Sequence, residues 1–159
     1  MLITKTIEID MGHRVPNHKS KCRNLHGHRY KIEVGVDDKV IDEKGVSSEG
    51  MVIDYGDLKE MMIDGIDFLF DHGFVVHKED KELLDFFLVI PGVDAEFVGF
   101  DLPPIKNDWK IVVVRDIPTA ENLAKLWFNI LKEKLFNVDI KIKHVKVWET
   151  PTSTAEYEE

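Results

Sequence analysis

Hydrophobic and polar residues alternate along two stretches near the start of the chain. Over residues 2–13 one face is apolar, and its parity continues to His13. Over residues 26–40 the apolar parity extends backwards to His28 and His26. A period of two is typical of a half-buried strand. The pattern therefore predicts two strands whose apolar faces end in histidines that point the same way.

The next clear period is helical. Apolar residues recur at spacings of three and four from Leu58 to Phe70, which predicts an amphipathic helix of about four turns. Asp54 or Asp57 is expected to cap the start of this helix, and Gly73 is expected to end it.

The rest of the chain predicts further strands and a second helix. Residues 46–53 are interpreted as a return strand and residues 110–115 as a third strand. A second amphipathic helix begins at residues 118–121. The last strand, over residues 140–149, changes its apolar parity, which predicts a bulge near residues 143–144.

Together these elements predict an α+β fold, in which a layer of antiparallel sheet carries helices on one side. The 159 residues and the 43% hydrophobic content suit a single domain over residues 1–159. Residues 77–109 do not follow the pattern, because a short apolar run at 86–90 is followed by proline breaks. We interpret this segment as a long excursion that holds an extra strand or a short helix.

The composition indicates in which compartment the protein acts and which classes of partner it does not bind. No stretch approaches the apolar length of a membrane span, and the N-terminus lacks the apolar region of a signal peptide. The single cysteine excludes an internal disulfide and suits a reducing compartment. A formal net charge of −9 argues against general nucleic-acid binding. We therefore expect a cytoplasmic protein with neither nucleic acid nor membrane as a partner.

The charge is nevertheless uneven along the chain. From Met11 to Ile32 there is no acidic residue, whereas several basic residues fall there, among them Lys19 and Arg23. A basic loop beside a metal site in an acidic protein favours a small anionic ligand such as a polyphosphate. An ordinary solvated loop is the alternative interpretation.

Three histidines are the first candidates for chemistry. His26 and His28 flank Gly27 in the run Cys-x3-His-Gly-His, and His13 ends the neighbouring strand. Three in-phase imidazoles suit a tetrahedral zinc site whose fourth position stays open, as in catalytic zinc sites. The alternative is that these are surface histidines or hydrogen-bonded core histidines.

Cys22 lies four residues before His26, within the basic loop. Nearby cations and a metal lower the pKa of a thiol, so we expect a reactive thiolate. If Cys22 were instead a fourth metal ligand, the zinc site would be closed.

Several acidic and polar residues are further candidates. Asp71 and His72 suit a general acid–base pair, although a histidine at a helix C-terminus also interacts favourably with the helix dipole. Glu149 is expected on the inner face, where a carboxylate needs a partner: either a flat ring with adjacent N–H donors, such as a pterin, or an internal arginine. Thr119 and Glu121 are a helix cap and a first-turn acid, or ligand contacts beside Glu149.

These motifs and their order along the chain resemble those of the 6-pyruvoyltetrahydropterin synthase family. This family includes the 6-carboxytetrahydropterin synthases of the queuosine (7-deazaguanine) pathway. The resemblance covers nearly the whole chain. It is carried by His13, Cys22-x3-His26-Gly27-His28, residues 51–59, Asp71-His72, residues 118–123, residues 147–150 and residues 155–157.

The resemblance implies the tunnelling fold (T-fold). In this fold a four-stranded antiparallel sheet carries two helices on one face, and sheets of several subunits join into a barrel. It also implies a homo-oligomer with active sites between subunits, and the substrate 7,8-dihydroneopterin triphosphate. Residues 77–109 exceed the short connection usual in the family and are an unusual insertion.

Site roles follow from the resemblance by matching position. His13, His26 and His28 would hold Zn²⁺, and Cys22 would be the base. Asp71 and His72 would relay protons to Cys22 from a neighbouring subunit. Glu149 would anchor the pterin ring, with Thr119 and Glu121 beside it. Lys19 and Arg23 are our own candidates for contacts with the triphosphate and are not taken from the family.

The spacing Cys-x3-His-Gly-His is typical of the 6-carboxy branch of this family. The predicted products are therefore 6-carboxy-5,6,7,8-tetrahydropterin, acetaldehyde and triphosphate. Two alternatives remain: a 6-pyruvoyltetrahydropterin synthase, which eliminates triphosphate, and a non-catalytic zinc-binding homologue.

Overall fold

The centre of the molecule is a long antiparallel pair of strands. A computed structural model describes residues 1–88, 106–135 and 140–159. β1 (Leu2–His13) pairs with β2 (His26–Asp37) without interruption, from Leu2 opposite Asp37 to His13 opposite His26. The apolar face predicted from the period of two is buried and comprises Ile7, Ile9, Met11, Tyr30, Ile32, Val34 and Val36.

Four more strands complete a sheet with the order β4-β3-β1-β2-β5-β6. β5 (Ile142–Thr150) and β6 (Ser153–Glu158) continue the antiparallel pairing beside β2. On the other side of β1 lie β3 (Phe74–His77) and β4 (Ile111–Val114), both parallel to their neighbours. The antiparallel part therefore has four strands as predicted, but the strand expected at 110–115 belongs to the parallel part.

The prediction of a return strand over residues 46–53 is wrong. These residues form turns, in which Gly50 has a φ of 83°, and they join no strand of the sheet. Val52 and Ile53 are buried in the main core all the same. Their apolar character reflects this packing and not a strand.

The first predicted helix is present in three consecutive pieces. α1 (Tyr55–Met62) is followed by a π-helical turn (Ile63–Asp67) and by α2 (Phe68–Phe70). Asp54 caps α1 as predicted, because its side chain accepts a hydrogen bond of 2.6 Å from the backbone N–H of Gly56. The left-handed residue after α2 is His72, with a φ of 56°, and not the expected Gly73.

A long helix and α1 cover the inner face of the sheet. α4 (Ala120–Leu135) starts where it was predicted to start, directly after Thr119. Trp127 of α4 is fully buried and meets the rings of Tyr30 and Phe70 edge-on, at centroid distances of 6.0 and 5.6 Å. The main core therefore lies between α4, α1 and the face of the sheet that bears the histidines.

The antiparallel strands carry α1 and α4 on one face as predicted, whereas the short helix α3 (Lys81–Phe87) packs on the opposite face of the parallel strands β3 and β4. A second apolar cluster joins α3 to Val76, Ile111 and Val113, whereas Val75 and Val114 face the main core. β3 and β4 are apolar on both faces, which is the pattern of strands covered on both sides. Of the apolar run at 86–90, residues 89 and 90 lie outside the described residues.

The predicted bulge in the last strand is confirmed. Gly35 and Val36 of β2 stand opposite His144 and Ile142, which leaves Lys143 as the extra residue. Among the described residues, no helix is both long enough and apolar enough to cross a membrane.

Candidate metal centre and active site

The ends of β1 and β2 bring the three predicted histidines together. His13 stands directly opposite His26, and His28 follows two residues later on the same face. Their ring centroids lie 4.5 Å (His13–His26), 5.4 Å (His13–His28) and 5.1 Å (His26–His28) apart. One nitrogen from each ring lies within 4.8 Å of the other two, a spacing that a single metal ion can bridge.

Backbone carbonyls fix the tautomers of two of these rings. His13 Nδ1 donates to the carbonyl oxygen of Pro118 at 2.6 Å, and His26 Nδ1 donates to that of Asn24 at 2.8 Å. A carbonyl can only accept, so each proton lies on Nδ1 and the lone pair of Nε2 is free. Metal-binding histidines usually have such a second-shell acceptor, which orients the ring.

Burial favours the neutral form that a metal needs. It lowers the pKa of His13 and that of His28, and the other imidazoles of the cluster act in the same direction. A metal ligand must be unprotonated, so these rings are ready to bind near neutral pH. Three neutral imidazoles suit zinc and related transition metals.

Glu149 lies beside this cluster, as the parity change in β5 predicted. The bulge at Lys143 turns Val145, Val147 and Glu149 to the inner face. Glu149 Oε1 lies 3.7 Å from His13 Nε2 and 4.0 Å from His28 Nε2. Its side chain is 28% exposed, and the ionisable side chains that face it among the described residues are histidines and not the arginine that was the alternative.

Tyr30 also belongs to this site, although its position in the sequence predicts no more than a place on the apolar face of the second strand. Its hydroxyl lies 3.2 Å from His13 Nε2 and donates to Glu149 Oε1 at 3.3 Å. Burial and the charge of Glu149 raise the pKa of Tyr30, so the hydroxyl keeps its proton. Its place immediately after His28 on the ligand-bearing face was the signal that could have identified it.

Cys22 lies in a short 3-10 turn (Lys21–Arg23) and is partly buried. Cys22 is not one of the three residues whose atoms share the metal-binding spacing. This arrangement is compatible with the predicted base and gives no support to the alternative of a fourth ligand.

Asp71 and His72 form the predicted pair. His72 Nδ1 donates to Asp71 Oδ2 at 2.6 Å, while Asp71 Oδ1 accepts from the backbone N–H of Asp10 at 2.9 Å. Lys110 Nζ donates to the carbonyl of Asp71 at 2.6 Å. Burial acts to raise the pKa of Asp71, but the Asp10 amide and His72 outweigh it, so the net shift is downward. His72 is held in a left-handed backbone conformation and its ring is 78% exposed.

Within one protomer, no hydrogen bond or ion pair among the described residues joins the Asp71–His72 pair to Cys22 or to the histidine cluster. Instead, its neighbours are the backbone of Asp10 and the side chain of Lys110. The ring of His72 is exposed, and we predicted that it contacts a neighbouring subunit. Such a contact remains a prediction.

Thr119 and Glu121 occupy the start of α4. The backbone N–H of Asn122 donates to Thr119 Oγ1 at 3.5 Å, so Thr119 has the capping role foreseen for it. The contact of Pro118 with His13 places Thr119 one residue from the candidate metal centre. Glu121 is exposed in the first turn. A contact of either residue with a ligand remains a prediction.

The basic loop has acidic neighbours that its sequence alone did not reveal. Lys19 and Arg23 line a cavity of about 670 Å³ together with the start of α3. Arg14 binds Asp80 through two hydrogen bonds of 2.6 and 2.5 Å, and it also binds Glu82 at 2.9 Å. The cavity therefore has mixed charge and is less basic than the loop by itself.

Comparison with known proteins provides evidence that is independent of this geometry. A family model described as 6-pyruvoyl tetrahydropterin synthase matches residues 2–159. The 6-carboxy-5,6,7,8-tetrahydropterin synthase of Rickettsia bellii is 34% identical over 154 residues, which are 96% of this chain and 96% of that protein.

Two solved structures show the same fold. An uncharacterized protein of Wolinella succinogenes has a TM-score of 0.79 at 24% identity, covering 99% of this chain and 97% of that one. The 6-pyruvoyl tetrahydropterin synthase of Caenorhabditis elegans has a TM-score of 0.64 at 23% identity, covering 100% of this chain and 95% of that one.

Proposed function

Because the chain belongs to the 6-pyruvoyl tetrahydropterin synthase family, we propose that it is a zinc-dependent 6-carboxytetrahydropterin synthase. It would convert 7,8-dihydroneopterin triphosphate to 6-carboxy-5,6,7,8-tetrahydropterin with release of acetaldehyde and triphosphate, as a cytoplasmic step of queuosine biosynthesis. The observation that carries the proposal is the convergence of three metal-ready histidines with Glu149 and Tyr30 at one end of the sheet.

The donor set fits the metal that this activity needs. His13 and His26 present bare Nε2 atoms, and His28 completes the group of three within 4.8 Å. Zinc held there would supply a Lewis acid that makes a bound hydroxyl of the substrate side chain easier to deprotonate.

Proton transfer is assigned to the chain's own residues. Cys22 would be the base at the side-chain carbons of the substrate. Asp71 accepts from Nδ1 of His72 and orients it, so Nε2 of His72 would exchange protons with Cys22 of a neighbouring subunit. This arrangement requires a homo-oligomer with sites between subunits.

Binding would use the remaining candidates. The partly exposed carboxylate of Glu149 can accept hydrogen bonds from adjacent N–H groups of a pterin ring with both of its oxygens. Thr119 and Glu121 would lie beside the ring. Lys19 and Arg23 would contact the triphosphate from the cavity next to α3.

Two observations favour the 6-carboxy branch over the 6-pyruvoyl branch. Relatives named 6-carboxy-5,6,7,8-tetrahydropterin synthase are 34% identical in Rickettsia bellii and 31% identical in Haemophilus influenzae. The Cys-x3-His-Gly-His spacing is also typical of that branch.

The test is incubation of the metal-analysed protein with 7,8-dihydroneopterin triphosphate, followed by mass spectrometry of the pterin product. We expect 6-carboxytetrahydropterin together with acetaldehyde. A 6-pyruvoyl product would move the chain to the other branch, and no turnover in a zinc-replete sample would reject the substrate.

A Cys22→Ala variant separates the base role from a ligand role. We expect it to keep its zinc and to lose turnover by a factor of about 10² or more, the usual contribution of a positioned base. Zinc lost together with activity would make Cys22 a ligand. Turnover that is absent from the unaltered protein despite bound zinc would favour a non-catalytic homologue.

A further inference from the structure

The hydroxyl of Tyr30 has two acceptors and a single proton. Tyr30 has no exposed surface, so water does not compete for this hydroxyl. Its oxygen lies 3.2 Å from His13 Nε2 and 3.3 Å from Glu149 Oε1. A phenol donates one hydrogen bond, so it can serve only one of the two at a time.

Both partners are acceptors. Nδ1 of His13 donates to the Pro118 carbonyl, so Nε2 of the neutral ring carries a lone pair and no proton. The carboxylate of Glu149 accepts only. The Tyr30 proton is therefore shared between the candidate metal centre and Glu149.

A metal ion bound by His13 would occupy the same lone pair of Nε2. We propose that Tyr30 couples the metal centre to Glu149, because a metal on His13 commits the Tyr30 proton to the carboxylate. The carboxylate is then held in one orientation before its ligand arrives. This inference rests on the proposed role of Glu149 as the anchor of a pterin ring.

Coupling of this kind has a measurable consequence. A carboxylate held by a charge-assisted hydrogen bond loses less freedom when it binds a ring, so metal should tighten ring binding. Linkage requires that the ring tighten metal binding by the same factor. We expect a factor of about ten, within the usual range of coupling between two sites.

The first experiment measures ring binding with and without metal. The probe is 6-methylpterin, which has the ring but no side-chain hydroxyls for zinc, and its Kd is measured by fluorescence. The unaltered protein should bind it about tenfold more tightly when loaded with zinc. Tyr30→Phe should bind it equally in both states, and a zinc effect that survives in Tyr30→Phe would overturn the proposal.

The matched control is Tyr157→Phe. Tyr157 also has a ring packed on an aromatic neighbour, Phe128, and a hydroxyl that donates to a glutamate, Glu159, at 3.2 Å. It lies on β6, away from the histidine cluster, so its zinc effect should remain about tenfold. A purely structural role of Tyr30 would weaken binding in both metal states and leave their ratio unchanged.

The second experiment does not depend on pterin. The zinc-loaded minus metal-free infrared difference spectrum should contain a shift of the tyrosine C–O stretch, as the hydroxyl changes from two acceptors to one. The shift should persist in Tyr157→Phe, vanish in Tyr30→Phe and shrink in Glu149→Gln. Its absence from the unaltered protein would overturn the coupling.

The two experiments separate the two proposals. A zinc-dependent tyrosine band without any binding of 6-methylpterin would support the coupling and reject Glu149 as a ring anchor. Tight ring binding that does not respond to zinc would leave the proposed function intact and reject the coupling. If Tyr30→Phe does not fold, the size of the zinc-dependent tyrosine band shift in Glu149→Gln still tests the coupling.

Discussion

At Gly27 the two central strands leave no room for a side chain. A Cβ on this residue would lie 2.8 Å from the carbonyl oxygen of Met11 and 3.3 Å from Cα of Gly12, both backbone atoms of β1. Gly27→Ala should therefore part the strands between His26 and His28. We expect a loss of about 1–3 kcal/mol in the free energy of unfolding and a zinc affinity reduced by a factor of about ten.

Gly35→Ala is the comparison for this prediction. Gly35 lies on the same face of β2, but the obstacle there is the side chain of His144. The Gly35→Ala variant should have a lower free energy of unfolding in urea titrations and an unchanged affinity for zinc. Equal zinc affinities in both variants and the unaltered protein would show that Gly27 has no part in placing the histidines.

Asp71 carries a pH-dependent part of the stability. Its pKa is lowered from 3.8, so the folded state favours the carboxylate. This stabilisation is complete above the unfolded pKa and disappears as the pH falls through the lower folded value. Asp71→Asn should lower the free energy of unfolding by about 1 kcal/mol at pH 7, and the difference should close below about pH 4.

Denaturant midpoints at pH 7 and at a pH well below 3.8 check this expectation. Asp64→Asn, on an exposed position of the π-helical turn of the same helix, is the control and should change neither midpoint. A deficit of the same size at both pH values would mean that the carboxylate charge contributes nothing.

Single residues were predictable where the period was strict. His13, His26 and His28 sit in strands that alternate without a break, so parity alone placed them on one face. Tyr30 was missed because an aromatic residue at a buried parity position suits the core equally well. Only the tertiary placement of Glu149 and His13 gives its hydroxyl a function.

At the scale of elements, α3 is joined to the end of β1 by a largely buried ion pair. The side chain of Asp80 is 3% exposed, binds Arg14 and also accepts from the backbone N–H of Leu83, which caps α3. Asp80→Asn can keep the cap but leaves the guanidinium of Arg14 without its main countercharge. We expect a loss of about 3 kcal/mol in the free energy of unfolding by urea titration.

Glu82→Gln is the matched control for this ion pair. Glu82 also binds Arg14, but its side chain is 81% exposed, so its loss should cost less than about 1 kcal/mol. If the two variants lose the same stability, the buried pair does not hold α3 against β1.

Elements were predictable when a single apolar face defined them. α4 and the long strands have such faces, whereas the four-residue strand β3 has too few residues to show a period. β6 is mostly polar and only partly buried, so its strand character depends on pairing with β5. The position of α3 could not be predicted, because the sequence does not say which face of β3 and β4 it covers.

At the scale of the whole molecule, the α+β fold and its four-stranded antiparallel part were predicted, and the solved relatives share this T-fold architecture. What the sequence could not supply was the parallel pairing of β1, β3 and β4. That pairing depends on contacts between residues distant in the chain. It also places Asp71 and His72 against the backbone of Asp10 in β1.

The predicted crossing of the relay between subunits can be tested by mixing variants. Cys22→Ala and His72→Ala should each be inactive alone. In randomly mixed oligomers, about a quarter of the sites would combine an intact Cys22 with an intact His72 of a neighbour and recover turnover.

Mixing His72→Ala with Asp71→Asn is the control. Each of these variants damages the Asp71–His72 pair, so no chain in the mixture can offer an intact pair to the Cys22 of a neighbour. Activity should therefore stay low unless Asp71→Asn is itself active. Mixed Cys22→Ala and His72→Ala oligomers without any recovery would place the relay within one chain.

The π-helical turn at Ile63–Asp67 carries one more residue than a regular helix would need to cover the same rise. If the same residues were wound regularly, the extra residue would rotate everything after it by about 100° about the helix axis. Asp71 directly follows α2, so in such a regular helix its carboxylate would leave the amide of Asp10. The π-helical turn thus determines the orientation of the acid–base pair, and regular winding of the same residues would direct His72 towards a different neighbour.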